Sequence, residues 1–317
     1  MNAREKNQTG QATVLTLVFL TVILGFAALV LDVGSWYRAK RAAQSTADAA
    51  ALAAAQELPD STASATSRAL EYASKNGGGV TSGNVTFSTN IAGNDTVTVR
   101  VNRTAPGFFA RVFGFNTVNV GANATARSEN IQAARYVAPI VVHYKHPMLN
   151  CTRAGNPTCN PTYGATTTLT LSDLHSPGGG SGSGAFGLIN LNQSDSTGTA
   201  SAGTLADWLA NGYDQYMQLG KYYSAPSANF NNSQFLASLD SVLGKEVLFP
   251  VYRLLTGPGS NAQYDIIGWV GFVIQSYSAD GSNGTLTGYF TRFIADGIQV
   301  TSGGNPDFGV RKVQLVG

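Results

Sequence analysis

The sequence has few of the residues on which enzymes and nucleic-acid-binding proteins depend. Charged residues make up 12% of its 317 residues and the formal net charge is +2, so no clustered basic field is available to a nucleic acid. The three histidines, at positions 143, 146 and 175, accompany no nucleophile motif on a strand-to-helix turn. The glycine and serine run at Pro177–Gly184 is more typical of an exposed loop than of a phosphate-binding loop or a nucleophile elbow. We therefore expect no catalytic residue, no cofactor and no nucleic-acid partner.

Cysteine is equally scarce. The chain has two cysteines, Cys151 and Cys159, in the segment CTRAGNPTC. In an oxidising compartment such a pair closes a small loop, whereas in a reducing one it stays as two thiols. There is no second cysteine pair, and His143 and His146 lack a matching spacing, so the sequence predicts no metal site. The pairing therefore depends on the compartment, and a disulfide is favoured outside the cytoplasm.

An uninterrupted apolar run lies near the N terminus. Residues 12–31 contain no charge, no proline and one glycine, Gly25. As a helix they rise about 30 Å, the thickness of a bilayer's hydrocarbon core, and satisfy their own backbone hydrogen bonds. A core helix would show polar positions, and a signal peptide would be shorter and followed closely by a small-residue cleavage site. We predict an uncleaved transmembrane helix. The residues that follow it fit a membrane–water boundary, with the aromatic rings of Trp36 and Tyr37 at headgroup depth and charged side chains in water: Asp32, Arg38, Lys40 and Arg41.

Two features of the sequence predict opposite orientations of this helix in the membrane. Arg4 and Lys6 precede the span and three cations follow it, so the positive-inside count opposes export of the larger part. Against this, nearly all the mass follows the span and is rich in Ser, Thr, Asn and Gly. We expect residues 1–11 to be cytoplasmic and the bulk of the chain to lie outside the cytoplasmic (inner) membrane, with the lipid bilayer as its partner.

Beyond the span the helix becomes rich in alanine. Small residues recur at helical spacing on one side, which would let another helix approach closely. Alanine is also the best helix former, so an unpartnered stalk is an equal alternative. The candidate packing face consists of Ala39, Ala43, Ala47, Ala50 and Ala54.

Two motifs in this region resemble a known family. The segment Val30–Gly34 contains LDVG at the membrane exit, and Gln44–Ala53 contains ADAAALA. Together they resemble the N-terminal segment of TadE/TadG-like proteins of Flp pilus (tight adherence) systems, over roughly the first 60 residues. The resemblance implies a membrane-anchored, extracytoplasmic protein of pilus assembly or surface attachment, whose N-terminal helix contacts other assembly proteins.

One departure separates the sequence from pilin precursors. Gly10 is placed like a pilin cleavage glycine, but the fifth residue after it is Leu15 where such precursors carry glutamate. The uncleaved TadG-like anchor therefore fits better than a processed pilin.

The rest of the chain predicts an α+β fold. Residues 32–135 form a helical stalk and a small α+β domain, with a second helix at 61–76, helical turns at 108–113 and strands at 84–88, 96–101 and 117–127. A junction at 132–136 leads to an extracytoplasmic, mainly-β domain, residues 136–317. Its helices are expected from Thr204 to Gly212 and over 232–243. Its strands are expected at 138–144, 166–171, 186–191, 246–254, 266–277, 285–294 and 310–316.

Three functional hypotheses follow. The first is a non-enzymatic tether or structural protein of a pilus or attachment system. The second is an adhesin or ligand-binding module whose aromatic residues line a surface: Tyr213, Tyr216, Tyr222, Tyr223 and Trp269. The third is a surface hydrolase, which would need a histidine within hydrogen-bonding reach of a serine and a carboxylate.

Overall fold

A computed structural model describes residues 9–152, 157–171, 185–192, 200–257, 262–280, 283–299 and 306–316. The run Pro177–Gly184 and His175 lie outside these residues. The chain divides into two compact units, one of residues 1–127 with 314–317 and one of residues 128–313.

The first unit is built on one long helix, α1, which spans Thr9–Ala55 and has 47 residues. At 1.5 Å per residue its length is about 70 Å. It contains no proline, and its two mid-span threonines, Thr16 and Thr21, donate their hydroxyl hydrogens to the carbonyls of Ala12 and Leu17 one turn back. The apolar span and the alanine-rich stalk are therefore one continuous helix.

The first unit also contains a second helix, two strands and the first eleven residues of a third strand, which continues into the second unit. Helix α2, Thr62–Lys75, begins at Ser61, whose hydroxyl accepts a hydrogen bond from the Ser64 amide. Strands β1 (Val85–Ser88), β2 (Thr96–Pro106) and β3 (Thr117–Ala134) pair antiparallel in the order β1-β2-β3. The C-terminal half of α1 packs on α2 and β2.

The second unit contains the strands β4 (Ile140–His143), β5 (Thr166–Leu171), β6 (Ala185–Leu188), β8 (Gly220–Tyr223), β9 (Glu246–Thr256), β10 (Gln263–Asp280) and β11 (Asn283–Thr291). These strands form a seven-stranded sheet in the order β11-β5-β6-β4-β9-β10-β8. The pairs β4–β9 and β5–β6 are parallel, and the other pairs along this order are antiparallel. Helices α3 (Ala202–Asn211) and α4 (Ser233–Val242) pack on each other. The other strands that begin in this unit are β7 (Met217–Gln218), β12 (Phe293–Ile294), β13 (Gly297–Gln299) and β14 (Val310–Leu315), and the last two residues of β14 belong to the first unit.

The α+β class is confirmed, with a long apolar N-terminal helix and a mostly-β remainder that carries a few helices. The strand expected at 117–127 is longer than the pattern predicted, because β3 continues to Ala134. Its last residues pair with β13 and β7, at Gly297–Gln299 and Met217–Gln218. These partners are far away in sequence, so a local pattern could not have shown the extension.

Candidate functional site

The first half of α1 presents an apolar surface that the described part of the chain leaves uncovered. The most apolar window of this helix has a mean hydropathy of 2.9, and none of that window is buried. A core helix of a soluble protein would be mostly buried, so that alternative is wrong. By length and composition this is the one helix among the described residues that could cross a membrane.

The second half of the same helix is buried on its alanine side. Ala43, Ala47, Ala50 and Ala54 have no exposed surface, and Ala39 is half-buried. Helix α2 turns its own small residues inward, at Ala65, Ala69 and Ala73. The partner of the alanine face is therefore the chain's own α2 together with β2. A contact between α1 and another protein would use a different side of the helix.

Arg103 of β2 forms a polar link in this packing. Its Nη2 donates to the Thr46 hydroxyl of α1 at 2.7 Å and to the carbonyls of Asn76 and Gly78 at 2.8 and 2.9 Å. Thr46 is 1% exposed and donates in turn to the Asn76 carbonyl at 2.6 Å. The Arg103 cation thus binds the carbonyl of Asn76, the C-terminal cap of α2, and that of Gly78 just beyond the helix, and the Thr46 hydroxyl binds the first of these two.

Asp32, in the LDVG motif, binds the backbone of a distant loop. Its two carboxylate oxygens accept hydrogen bonds from the amides of Phe108, Phe109 and Ala110 at 2.6–3.2 Å. These amides enter the short helical turn Ala110–Phe113. The expectation that this charge faces water is wrong, because only 3% of Asp32 is exposed.

The protonation of Asp32 follows from these contacts. Burial by itself raises the pKa of the carboxyl, but the hydrogen bonds from Ala110, Phe108 and Phe109 outweigh burial and hold the pKa below its ordinary value. Asp32 is therefore an anion that three amides stabilise. One turn further along α1, the Trp36 indole donates to the Pro106 carbonyl at 3.1 Å, at the base of the same loop.

The cysteines and the aromatic residues lie in the second unit. The structure joins Cys151 and Cys159 in a disulfide, next to the core. The five aromatic residues do not form one exposed surface: Tyr222 and Trp269 are buried, Tyr213 and Tyr223 are half-buried, and Tyr216 is exposed. The adhesin hypothesis therefore receives no support from this set.

The two described histidines are buried in packing. The His143 ring lies against Tyr144 and Tyr252, and the His146 ring lies against Phe290. His146 accepts from the Met148 amide and lies 3.4 Å from the Thr167 hydroxyl. Among the described residues, neither ring shows the serine and carboxylate that a hydrolase would need. The same residues contain no group of three His, Cys, Asp or Glu that could hold a metal ion.

The contacts of two residues in this site were not predicted from the sequence. The role of Asp32 was missed because its partners lie more than seventy positions away, although an acidic residue directly after a span is an available signal. The contacts of Arg103 with α1 and the end of α2 were missed because the alternating pattern of β2 shows only that position 103 is polar.

Comparison with known proteins bears on the first unit alone. The model of the Tad family, described as "Putative Flp pilus-assembly TadE/G-like", matches residues 10–57. This match covers the apolar span, Asp32 and the alanine face, which confirms the resemblance of the N-terminal segment. Neither a curated protein nor a solved structure matches the chain.

Proposed function

We propose that this chain is a non-enzymatic, single-pass membrane protein of a Flp/Tad-type pilus assembly or surface-attachment system, in which it acts as a tether or structural component. Its TadE/G-like segment crosses the cytoplasmic membrane, residues 1–11 lie in the cytoplasm, and residues 136–317 lie outside. The similarity of residues 10–57 to that family supports the association with a pilus system.

The continuity of α1 carries this proposal. The same helix that exposes residues 12–31 buries its alanine face in a folded unit from residue 43 onward, with no break between them. Cleavage after the span would separate Asp32 and Trp36 from the helix that precedes them. An uncleaved anchor therefore keeps the folded unit attached directly to the membrane.

The alanine face supports a structural role for the first unit. Because α2 and β2 cover it, this face stabilises the fold of the same chain. The largest uncovered apolar surface of α1 is the span itself. Contacts with other pilus proteins that use this apolar surface would therefore form within the bilayer.

Protease protection tests the topology. With tags fused at Met1 and at Gly317, external protease on intact spheroplasts is expected to remove the C-terminal tag and spare the N-terminal one. Lysed spheroplasts, which should lose both tags, are the control for protease access. The reverse pattern would refute the orientation, and release of the chain by alkaline carbonate would refute the membrane span.

A test of the pilus association uses the full chain purified from its native membrane. Mild detergent extraction should bring down pilus-assembly proteins with the tagged chain. The matched control replaces residues 12–31 with an unrelated apolar span of the same length. If both versions retain the same set of proteins, contacts through the span are excluded.

A further inference from the structure

A short segment after β2 exposes more apolar surface than its length leads one to expect. We define the aromatic loop as residues 107–116. Isolated exposed apolar side chains are normal, but clusters of them mark a surface that something else covers. The loop's large exposed residues are Phe108 (57%), Phe109 (45%), Val112 (79%), Phe113 (80%) and Phe115 (64%).

The aromatic loop lies beside the membrane span. A groove of about 460 Å³ separates them, and its lining on the loop side is Phe109, Ala110 and Phe113. Its lining on α1 runs from Val22 to Trp36. Val22 precedes Asp32 by about 15 Å along the helix axis. The loop therefore extends from the end of the span back toward the bilayer interior.

The backbone of the aromatic loop meets the requirement for an apolar environment, where an unpaired amide is costly. The Asp32 carboxylate accepts hydrogen bonds from the amides of Phe108, Phe109 and Ala110. Carbonyls of the loop itself accept hydrogen bonds from four more amides, those of residues 107, 112, 114 and 115. The carboxylate thus supplies acceptors that water would otherwise have to provide.

Two glycines permit this compact backbone. A side chain at Gly107 would meet the Phe115 carbonyl oxygen at 2.5 Å, so only glycine allows the two ends of the loop to approach. Gly114 ends the helical turn with φ +87°, in the left-handed region that favours glycine.

We propose that the aromatic loop inserts into the membrane interface beside α1 and forms a second membrane contact of the first unit. The occupant of its exposed face and of the groove is lipid: acyl chains around Phe108, Val112, Phe113 and Phe115. Arg111, exposed on the same loop, reaches the phosphate level. This inference rests on the membrane anchor of the proposed function and is independent of which side of the membrane the loop faces.

Continuity favours lipid over a protein partner. The exposed face of the loop and the exposed face of the span line one groove, so a bilayer that surrounds the span also meets the loop. Insertion would hold α1 at a fixed tilt and rotation at the membrane surface, because the span and the loop are two points of attachment on one folded unit.

Depth-dependent fluorescence quenching tests the insertion. Single cysteines are placed in the full chain at Phe113, at Leu20 in mid-span and at Ile91, an apolar residue 43% exposed in the β1–β2 turn. Each is labelled with an environment-sensitive fluorophore in phosphatidylcholine vesicles. The unsubstituted chain gives the labelling background. We expect nitroxides on the lipid acyl chains to quench positions 113 and 20, and aqueous iodide to quench position 91.

The three positions separate the possible failures. If position 20 is quenched by lipid and position 113 by iodide alone, the anchor stands and the loop inference is wrong. If position 20 escapes lipid quenching, the anchor itself is wrong and the loop inference falls with it. If position 113 is shielded from both quenchers and crosslinks between copies, a second copy covers the loop and the inference is again overturned.

The variant Asp32→Asn tests the part played by the carboxylate. The amide group keeps the size of the side chain but replaces one acceptor oxygen with a donor, which would face a backbone N–H. We expect several-fold weaker lipid quenching at position 113 and no change at position 20. Equal quenching at position 113 in both versions would overturn the role of Asp32 in placing the loop.

Discussion

The close packing of the alanine face leads to a quantitative prediction for Ala47→Leu. Ala47 has no exposed surface, and the substitution forces an isobutyl group into the contact of α1 with α2 and β2. Extra methylene groups in a well-packed interior cost about 1–3 kcal/mol. The intrinsic helix propensities of Ala and Leu differ by only a small fraction of that cost. The expected loss therefore comes almost entirely from packing.

Hydrogen exchange on the full chain in detergent measures this loss locally. If the amides of α2 and β2 exchange through opening of this contact, a cost of about 1–3 kcal/mol accelerates their exchange by about 5- to 150-fold. The readout is the deuterium uptake of peptides from Thr62–Lys75 and Thr96–Pro106.

The same helix offers a matched control. Ala42 is exposed, so Ala42→Leu makes the same chemical change on the uncovered side of α1. Surface substitutions of this kind change stability by less than about 0.5 kcal/mol. Equal exchange in the two variants would refute the conclusion that the alanine face is a close-packed contact within the chain.

Two further predictions concern the second unit. Non-reduced peptide mapping of protein taken from cells should recover Cys151 and Cys159 in one linked fragment; two separately alkylated thiols would contradict the bridge. Burial lowers the pKa of His143 and of His146 from 6.5 to about 4. Between these two pH values the unfolded chain binds protons that the folded chain does not. The free energy of unfolding should therefore fall as the pH decreases from 6.5 to 4. Urea midpoints followed by tryptophan fluorescence across that window measure the loss, and a constant midpoint would contradict it.

Local patterns were enough to predict most of the elements. Helix α2, the strand β5 and the helices α3 and α4 all lie where periodicity and capping residues place them. Each of these signals is contained within one element, because helical and strand periods are set by the backbone. Strands β7, β8 and β13 were missed, since two to four residues are too few to show a period.

Long-range pairing could not be predicted in the same way. The parallel pairing of β4 with β9 joins residues more than a hundred positions apart. Both strands are apolar, and an apolar strand alone does not indicate its neighbour. The extension of β3 to Ala134 has the same origin.

The apolar run, the continuity of α1 and the small-residue side of that helix could all be predicted from the amino-acid sequence, because each depends on composition and on the helical period. The contacts of those residues became visible only in the folded chain. The tertiary structure placed α2 and β2 on the alanine face, closed the end of α2 with Arg103, and directed Asp32 to the amides of the aromatic loop. Such contacts depend on where the chain returns in space, which no local pattern records.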